Sequence, residues 1–132
     1  MKVLSFVVAL ASAVTPALAA VDVSADTILC PYSYTVWFWW FSPTVRARCR
    51  GTDSAALSAW FTMVDKHDSI RYRDSLGPVM LGPGDATTLT FAPYLPGSDT
   101  GIWTARCSVA APGDTNPAND VITKKFRPTP PG

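Results

Sequence analysis

Apolar and polar residues alternate along this chain in short runs. The clearest is Trp103 to Val109, where Trp103, Ala105, Cys107 and Val109 share one side and Thr104, Arg106 and Ser108 the other. A period of two is the signature of a half-buried strand. Pro112-Gly113-Asp114-Thr115-Asn116-Pro117 is dense in turn formers, and Val121 to Phe126 leads back, so Gly101 to Phe126 reads as a hairpin. Thr44 to Arg50 alternates as well, with Val45, Ala47 and Cys49 opposite Arg46, Arg48 and Arg50, and Gly51 supplies a turn. Leu57 to Val64 is apolar on both sides, which predicts a central strand. Ile70 to Arg73 predicts a short edge strand, Val79 to Leu81 continues the meander, and Thr87 to Phe91 turns Leu89 and Phe91 inward. Val21 to Cys30 shifts phase between Ala25 and Ile28, as a bulged first strand at a sheet edge would, and Pro31 ends it.

Strand signals thus recur every ten residues or so with turn formers between them, and no segment of useful length has a 3.6-residue period. The predicted class is all-β, an immunoglobulin-like antiparallel sandwich of two sheets and about seven strands. One stretch breaks the pattern. Tyr32 to Phe41, YSYTVWFWWF, places aromatic rings on both sides and obeys neither period.

Composition narrows the setting. Met1-Lys2, the apolar run Val3 to Leu10 and the small residues ending Ala17-Leu18-Ala19-Ala20 have the order of a secretory signal peptide, so residues 1–20 are expected to be removed on export. Residues 21–127 then form one domain, and 128–132 a proline-rich tail or linker. The expected location is secreted or at the bacterial cell surface, with no transmembrane segment left after cleavage. Twelve prolines and eight glycines suit short strands and frequent turns. A net charge of +1 provides no field for nucleic acid.

Three cysteines, Cys30, Cys49 and Cys107, allow at most one internal bridge. Cys49 and Cys107 fall on the second and sixth predicted strands, which lie on opposite sheets of an immunoglobulin-like sandwich, with Trp60 where a packing tryptophan would stand. A bridge there would contribute about 4 kcal/mol by the chain-entropy argument. Two buried free thiols fit the same pattern, and Cys30 competes for either partner.

Several motifs together give a resemblance. Pro43-x-Val45-x-Ala47 with Gly51, Leu81-x-Pro83-Gly84 with Thr90-Phe91, Gly101-x-Trp103-Thr104-Ala105-x-Cys107-Ser108 and Gly113-Asp114-x-Asn116-Pro117-x-Asn119-Asp120 resemble bacterial CARDB-type domains, cell-adhesion-related immunoglobulin-like modules. The resemblance covers Val21 to Arg127. Trp103 stands where such domains more often carry Tyr, Cys49 where Asn is common, and the aromatic run replaces a polar loop. It implies a non-catalytic spacer or adhesion module, with no residue-level site to carry over.

The chemistry that remains is sparse. Trp37, Trp39 and Trp40 within Val36 to Phe41 are the candidate binding residues, since flat rings stack on sugars or anchor a protein partner. The competing reading buries them as a strand. The expected function is a structural or adhesion module, the alternative is a carbohydrate-binding module, and the partner is a cell-surface protein or a glycan. Asp114, Asn116, Asn119 and Asp120 offer oxygen to calcium, but the charge count is low and no Glu closes the loop, so they are assigned to the turn and no metal or cofactor is expected. His67 between Asp65 and Asp68 lacks a nucleophile, and no catalytic motif is present, so no catalytic residue is expected. Arg46, Arg48 and Arg50 read as a solvated sheet face, with Arg71 and Arg73 as candidate extensions.

Overall fold

A computed structural model describes residues 20–131. The expected signal peptide therefore lies outside the described residues, apart from Ala20. Eight strands run in order: β1 Val23–Cys30, β2 Tyr34–Val36, β3 Thr44–Cys49, β4 Ala55–Val64, β5 Ile70–Leu81, β6 Ala86–Thr90, β7 Trp103–Ala110 and β8 Val121–Thr129. The one helical element among the described residues is a 3-10 turn, Pro117–Asn119. One sheet has the order β1-β3-β6, the other β2-β8-β7-β4-β5. All neighbours are antiparallel except β2, which lies parallel to β8. This is the expected all-β, immunoglobulin-like sandwich.

The alternating rows build the core. Val45, Ala47 and Cys49 of β3 face Trp103, Ala105, Cys107 and Val109 of β7 and Leu57, Ala59, Phe61 and Met63 of β4 in one buried cluster. Each large apolar side chain moved out of water contributes about 1.5–3 kcal/mol. β1 is the bulged edge strand that its phase shift predicts. Its register against β3 slips between Ala25 and Thr27 and again between Ile28 and Cys30, which lets Val23, Ala25 and Ile28 all face inward.

Four expectations about the strands are corrected. β4 is central, between β5 and β7, but it is not buried on both faces. Trp60 shares parity with Ser58 and Thr62, points away from the core and is 45% exposed, so the packing tryptophan is Trp103, which is 1% exposed. Ile70–Leu81 is a single twelve-residue edge strand rather than two short pieces. Gly77 explains it: at φ 110 it sits against a register slip in β4, where a Cβ would lie 2.6 Å from the Leu57 carbonyl oxygen. Finally, β8 takes in Pro128 and Thr129, which composition alone puts in the tail, because β2 pairs with them.

Cys49 and Cys107 do lie on opposite sheets, yet all three cysteines are free thiols, so the expected bridge is absent. Each thiol is accommodated separately. Cys49 ends β3 and its Sγ donates to the Asp53 carbonyl in the following turn at 3.3 Å. Cys107 fills a small site inside β7, where burial pushes its thiol up to about 12. Burial also raises the Cys30 thiol, against the pull of Lys124. Cys49 and Cys107 are core fillers, and Cys30 is half-buried at the end of β1.

Candidate binding surface

The irregular aromatic stretch becomes a lobe on one edge of the five-stranded sheet. β2 holds only Tyr34, Thr35 and Val36, paired with Arg127, Pro128 and Thr129. The Arg127 amide donates to the Ser33 carbonyl and the Trp37 amide to the Thr129 carbonyl, both at 2.9 Å. Beyond β2 the chain turns sharply. Phe38 adopts φ 63, its amide donates to the Pro96 carbonyl at 2.9 Å, and the Trp39 amide donates back to Val36 at 3.2 Å. The lobe closes where Phe41 and Tyr94 exchange backbone hydrogen bonds of 3.0 and 2.8 Å.

Within this frame the aromatic side chains separate into anchors and free rings. Trp37 is half-buried, and its indole Nε1 donates to the Asp99 carbonyl at 2.8 Å. The Phe41 ring meets Tyr94 and Phe126 edge-on, with centroids 5.9 and 6.4 Å apart. By contrast Tyr32, Tyr34, Phe38, Trp39 and Trp40 are 60–71% exposed. Of the three tryptophans singled out in the sequence, two are therefore presented to solvent and one holds the lobe in place. Tyr32, Tyr34 and Phe38 complete the surface.

A cavity of about 280 Å³ opens among Tyr32, Tyr34, Trp39 and Trp40, with Cys30, Thr35, Val36 and Phe41 as its other lining residues. No charged side chain lines it. The phenols and indoles of the exposed rings make no hydrogen bond to another described residue, so their donors are available to a ligand. Flat apolar faces with polar edges, without charge, suit a neutral, hydroxyl-bearing ligand.

The other sequence candidates have local structural uses. His67 lies in a polar cleft of about 260 Å³ with Asp65, Lys66, Arg71, Ser98, Asp99 and Thr100. Arg71 bonds Asp65 at 3.3 Å, pairs with Asp99, and stands 5.2 Å over the Trp103 ring. The Ser69 amide, then the His67 amide and Arg71, hold the Asp65 carboxyl below its ordinary range despite its desolvation. An Asp committed in this way is a turn former and a poor base. Two of the three residues of the arginine row are also occupied. Arg48 and Arg50 reach Asp26 at 3.3 and 3.1 Å, while Arg71 and Arg73 belong to the opposite sheet.

One member of the acidic group in the β7–β8 turn was missed in the sequence. The β7–β8 turn brings Asp114 and Asp120 against Asp22, just before β1, and carboxylate oxygens of the three lie within 4.8 Å of one another. The signal for Asp22 is long-range pairing, the bridge of Val21 to Asp114, which no local pattern reveals. Burial, then the charges of Asp114 and Asp22, push the Asp120 carboxyl up to about 6.

No family model matches the sequence, and no curated relative does. Solved structures do. The crystal structure of the CARDB domain of the PF1109 protein from Pyrococcus furiosus, described as a complex with di-metal ions, is 16% identical, with a TM-score of 0.56 over 85% of this chain and 90% of that one. The solution structure of the PF1109 CARDB domain gives 14% identity and a TM-score of 0.60 over 86% and 98%. A β-glucosidase from Erythrobacter marinus, EmGH1, is 13% identical with a TM-score of 0.55, and the match covers 83% of this chain but only 16% of the enzyme. The chain thus has the fold of CARDB domains, and that fold also occurs as a small part of a much longer enzyme.

Proposed function

We propose that this chain is a non-catalytic adhesion module, secreted or held at the cell surface, that grips neutral glycan on its aromatic lobe. The observation that carries this reading is the exposure of four aromatic side chains, Tyr32, Tyr34, Trp39 and Trp40, around an uncharged cavity, on a lobe whose backbone is fixed at both ends. A contiguous apolar patch of this kind marks a binding surface on a folded domain. Sugar rings present flat C–H faces for stacking and hydroxyls at their edges, which match the faces and the free donors of Trp39, Trp40, Tyr32 and Tyr34.

The rest of the molecule serves as scaffold. The β2–β8 pairing and the Trp37 indole bond hold the lobe rigid, so little side-chain or loop entropy is lost when ligand binds. The likeness to cell-adhesion-related domains supports an extracellular role, as does the signal-like N-terminus. Among the described residues no helix is long and apolar enough to cross a membrane.

The test is affinity electrophoresis through gels containing a neutral insoluble or soluble polysaccharide, such as a β-glucan, a xylan or a mannan. The wild type is expected to be retarded by at least one of them. The double variant Trp39→Ala/Trp40→Ala is expected to migrate freely while melting at the wild-type temperature. Equal retardation of the two proteins, or no retardation of the wild type by any neutral polysaccharide, overturns the proposal.

A further inference from the structure

The Asp22, Asp114 and Asp120 grouping lies apart from the aromatic lobe and has its own chemistry. Its hydrogen bonds are made by neutral donors only. The Asn119 amide nitrogen donates to Asp22 Oδ1 at 3.1 Å and that of Asn116 to Asp22 Oδ2 at 3.4 Å. Asp114 accepts from the Val23 amide at 3.2 Å and the Asn116 amide at 2.9 Å. No ion pair with Lys, Arg or His reaches any of the three carboxylates among the described residues. Asp22 is nevertheless 6% exposed, among the most buried acidic groups in the chain.

A buried carboxylate that lacks a cationic partner and faces two more acids is unfavourable unless something compensates. A second observation identifies what is missing. Asp120 Oδ1 and Asn119 Oδ1 are shut off from solvent and accept no hydrogen bond from any protein group. Buried oxygens of this kind are normally satisfied, and here the unused lone pairs belong to residues of the same cluster. What the cluster lacks is positive charge, not another acceptor.

We infer that Asp22, Asp114 and Asp120 bind one hard divalent cation of the calcium class, which ties the β7–β8 turn to the start of β1. All available ligands are oxygen, and none is the thiolate or imidazole that softer metals prefer. Calcium accepts irregular oxygen sets supplied by turns, whereas magnesium demands near-ideal octahedral geometry. Bound there, the ion would close the sandwich at the end where the first strand enters. The bridge of Val21 to Asp114 and the Val23 bond to Asp114 already meet there.

Thermal unfolding of the purified, chelator-treated protein tests this directly, with calcium chloride as the probe and magnesium chloride as the competitor. The wild type is expected to gain about 5 °C or more at millimolar calcium, through preferential binding to the folded state. Isothermal titration should give one ion per chain, with magnesium at least tenfold weaker. Asp120→Asn keeps the shape and removes one like charge, so without calcium it should melt no lower than the wild type, while its calcium affinity falls at least tenfold. Asp22→Asn should lose the calcium response as well. A wild type whose melting ignores calcium, or an Asp120→Asn variant that responds as the wild type does, overturns the inference.

Discussion

Two sets of aromatic rings in this small domain have opposite fates. Phe91, Phe61, Tyr72, Tyr94, Trp103, Phe126 and Phe41 form a continuous column through the sandwich, with successive centroids 5.3–6.4 Å apart. A few residues away in space, Tyr32, Tyr34, Phe38, Trp39 and Trp40 stand in solvent. Residue type does not separate them, since both sets contain Trp, Tyr and Phe. Backbone context does. Most of the inner rings occupy strand positions of the correct parity, and the sheets close over them. The outer rings lie just before, within and just after a three-residue strand, where the chain turns sharply. Aromatic surface is thus buried for cohesion in one place and left open to solvent in the other.

The sharpest way to test that division is to truncate one ring from each set. Trp103→Ala removes the largest fully buried side chain and leaves a cavity bounded by two sheets, so denaturant unfolding should report a loss of about 3–5 kcal/mol. Trp37→Ala belongs between the two sets. It removes a half-buried ring and the bond to Asp99, and should cost about 1–2 kcal/mol while lowering polysaccharide retention by loosening the lobe.

Tyr72 marks the boundary in another way. Its hydroxyl donates to the Ala92 carbonyl at 2.7 Å, and burial, followed by Asp74, pushes the phenol from 10.0 to about 12. The folded chain keeps this proton over an interval in which the unfolded chain releases it. Stability from this group is therefore full below pH 10 and declines as pH rises toward 12. Alkaline melting of the wild type and Tyr72→Phe checks it: the variant should lose about 1 kcal/mol at neutral pH and show a flatter decline at high pH. The smallest effect is expected at the outer rings, where Trp39→Ala or Trp40→Ala should change stability by less than about 0.5 kcal/mol.

Much of the inner set was legible in the sequence because strand parity is local. Val45, Ala47, Leu89, Ala105 and Val109 were placed inward by alternation alone, and the phase shift in β1 announced its bulge. Trp60 was misplaced because an apolar run hides parity, and its outward side became clear only through its neighbours Ser58 and Thr62. The disulfide failed for a related reason. Cys49 and Cys107 have the required parity and lie on opposite sheets, but strand assignment does not fix how far apart two inward positions sit along those strands. β5 was divided because only Ile70 to Arg73 and Val79 to Leu81 carried a strand signal, whereas Gly77 accommodates a register slip inside one strand. Of the outer set, Trp39 and Trp40 were singled out in the sequence with a buried reading left open, and Tyr32, Tyr34 and Phe38 only as part of an irregular run. Their exposure depends on β2 pairing with Arg127 to Thr129, a contact across nearly the whole chain. Asp22 was invisible for the same reason, since its partners arrive from the β7–β8 turn.

The division between cohesive and contact rings is most directly tested by tryptophan emission during titration with the polysaccharide that retards the protein. Trp39 and Trp40 should move from water into contact with sugar, so the wild-type emission should shift to shorter wavelength and saturate. Trp39→Ala/Trp40→Ala should show no shift, although Trp37, Trp60 and Trp103 remain. A shift of equal size in the double variant, or saturable binding with no change in emission, would contradict the account.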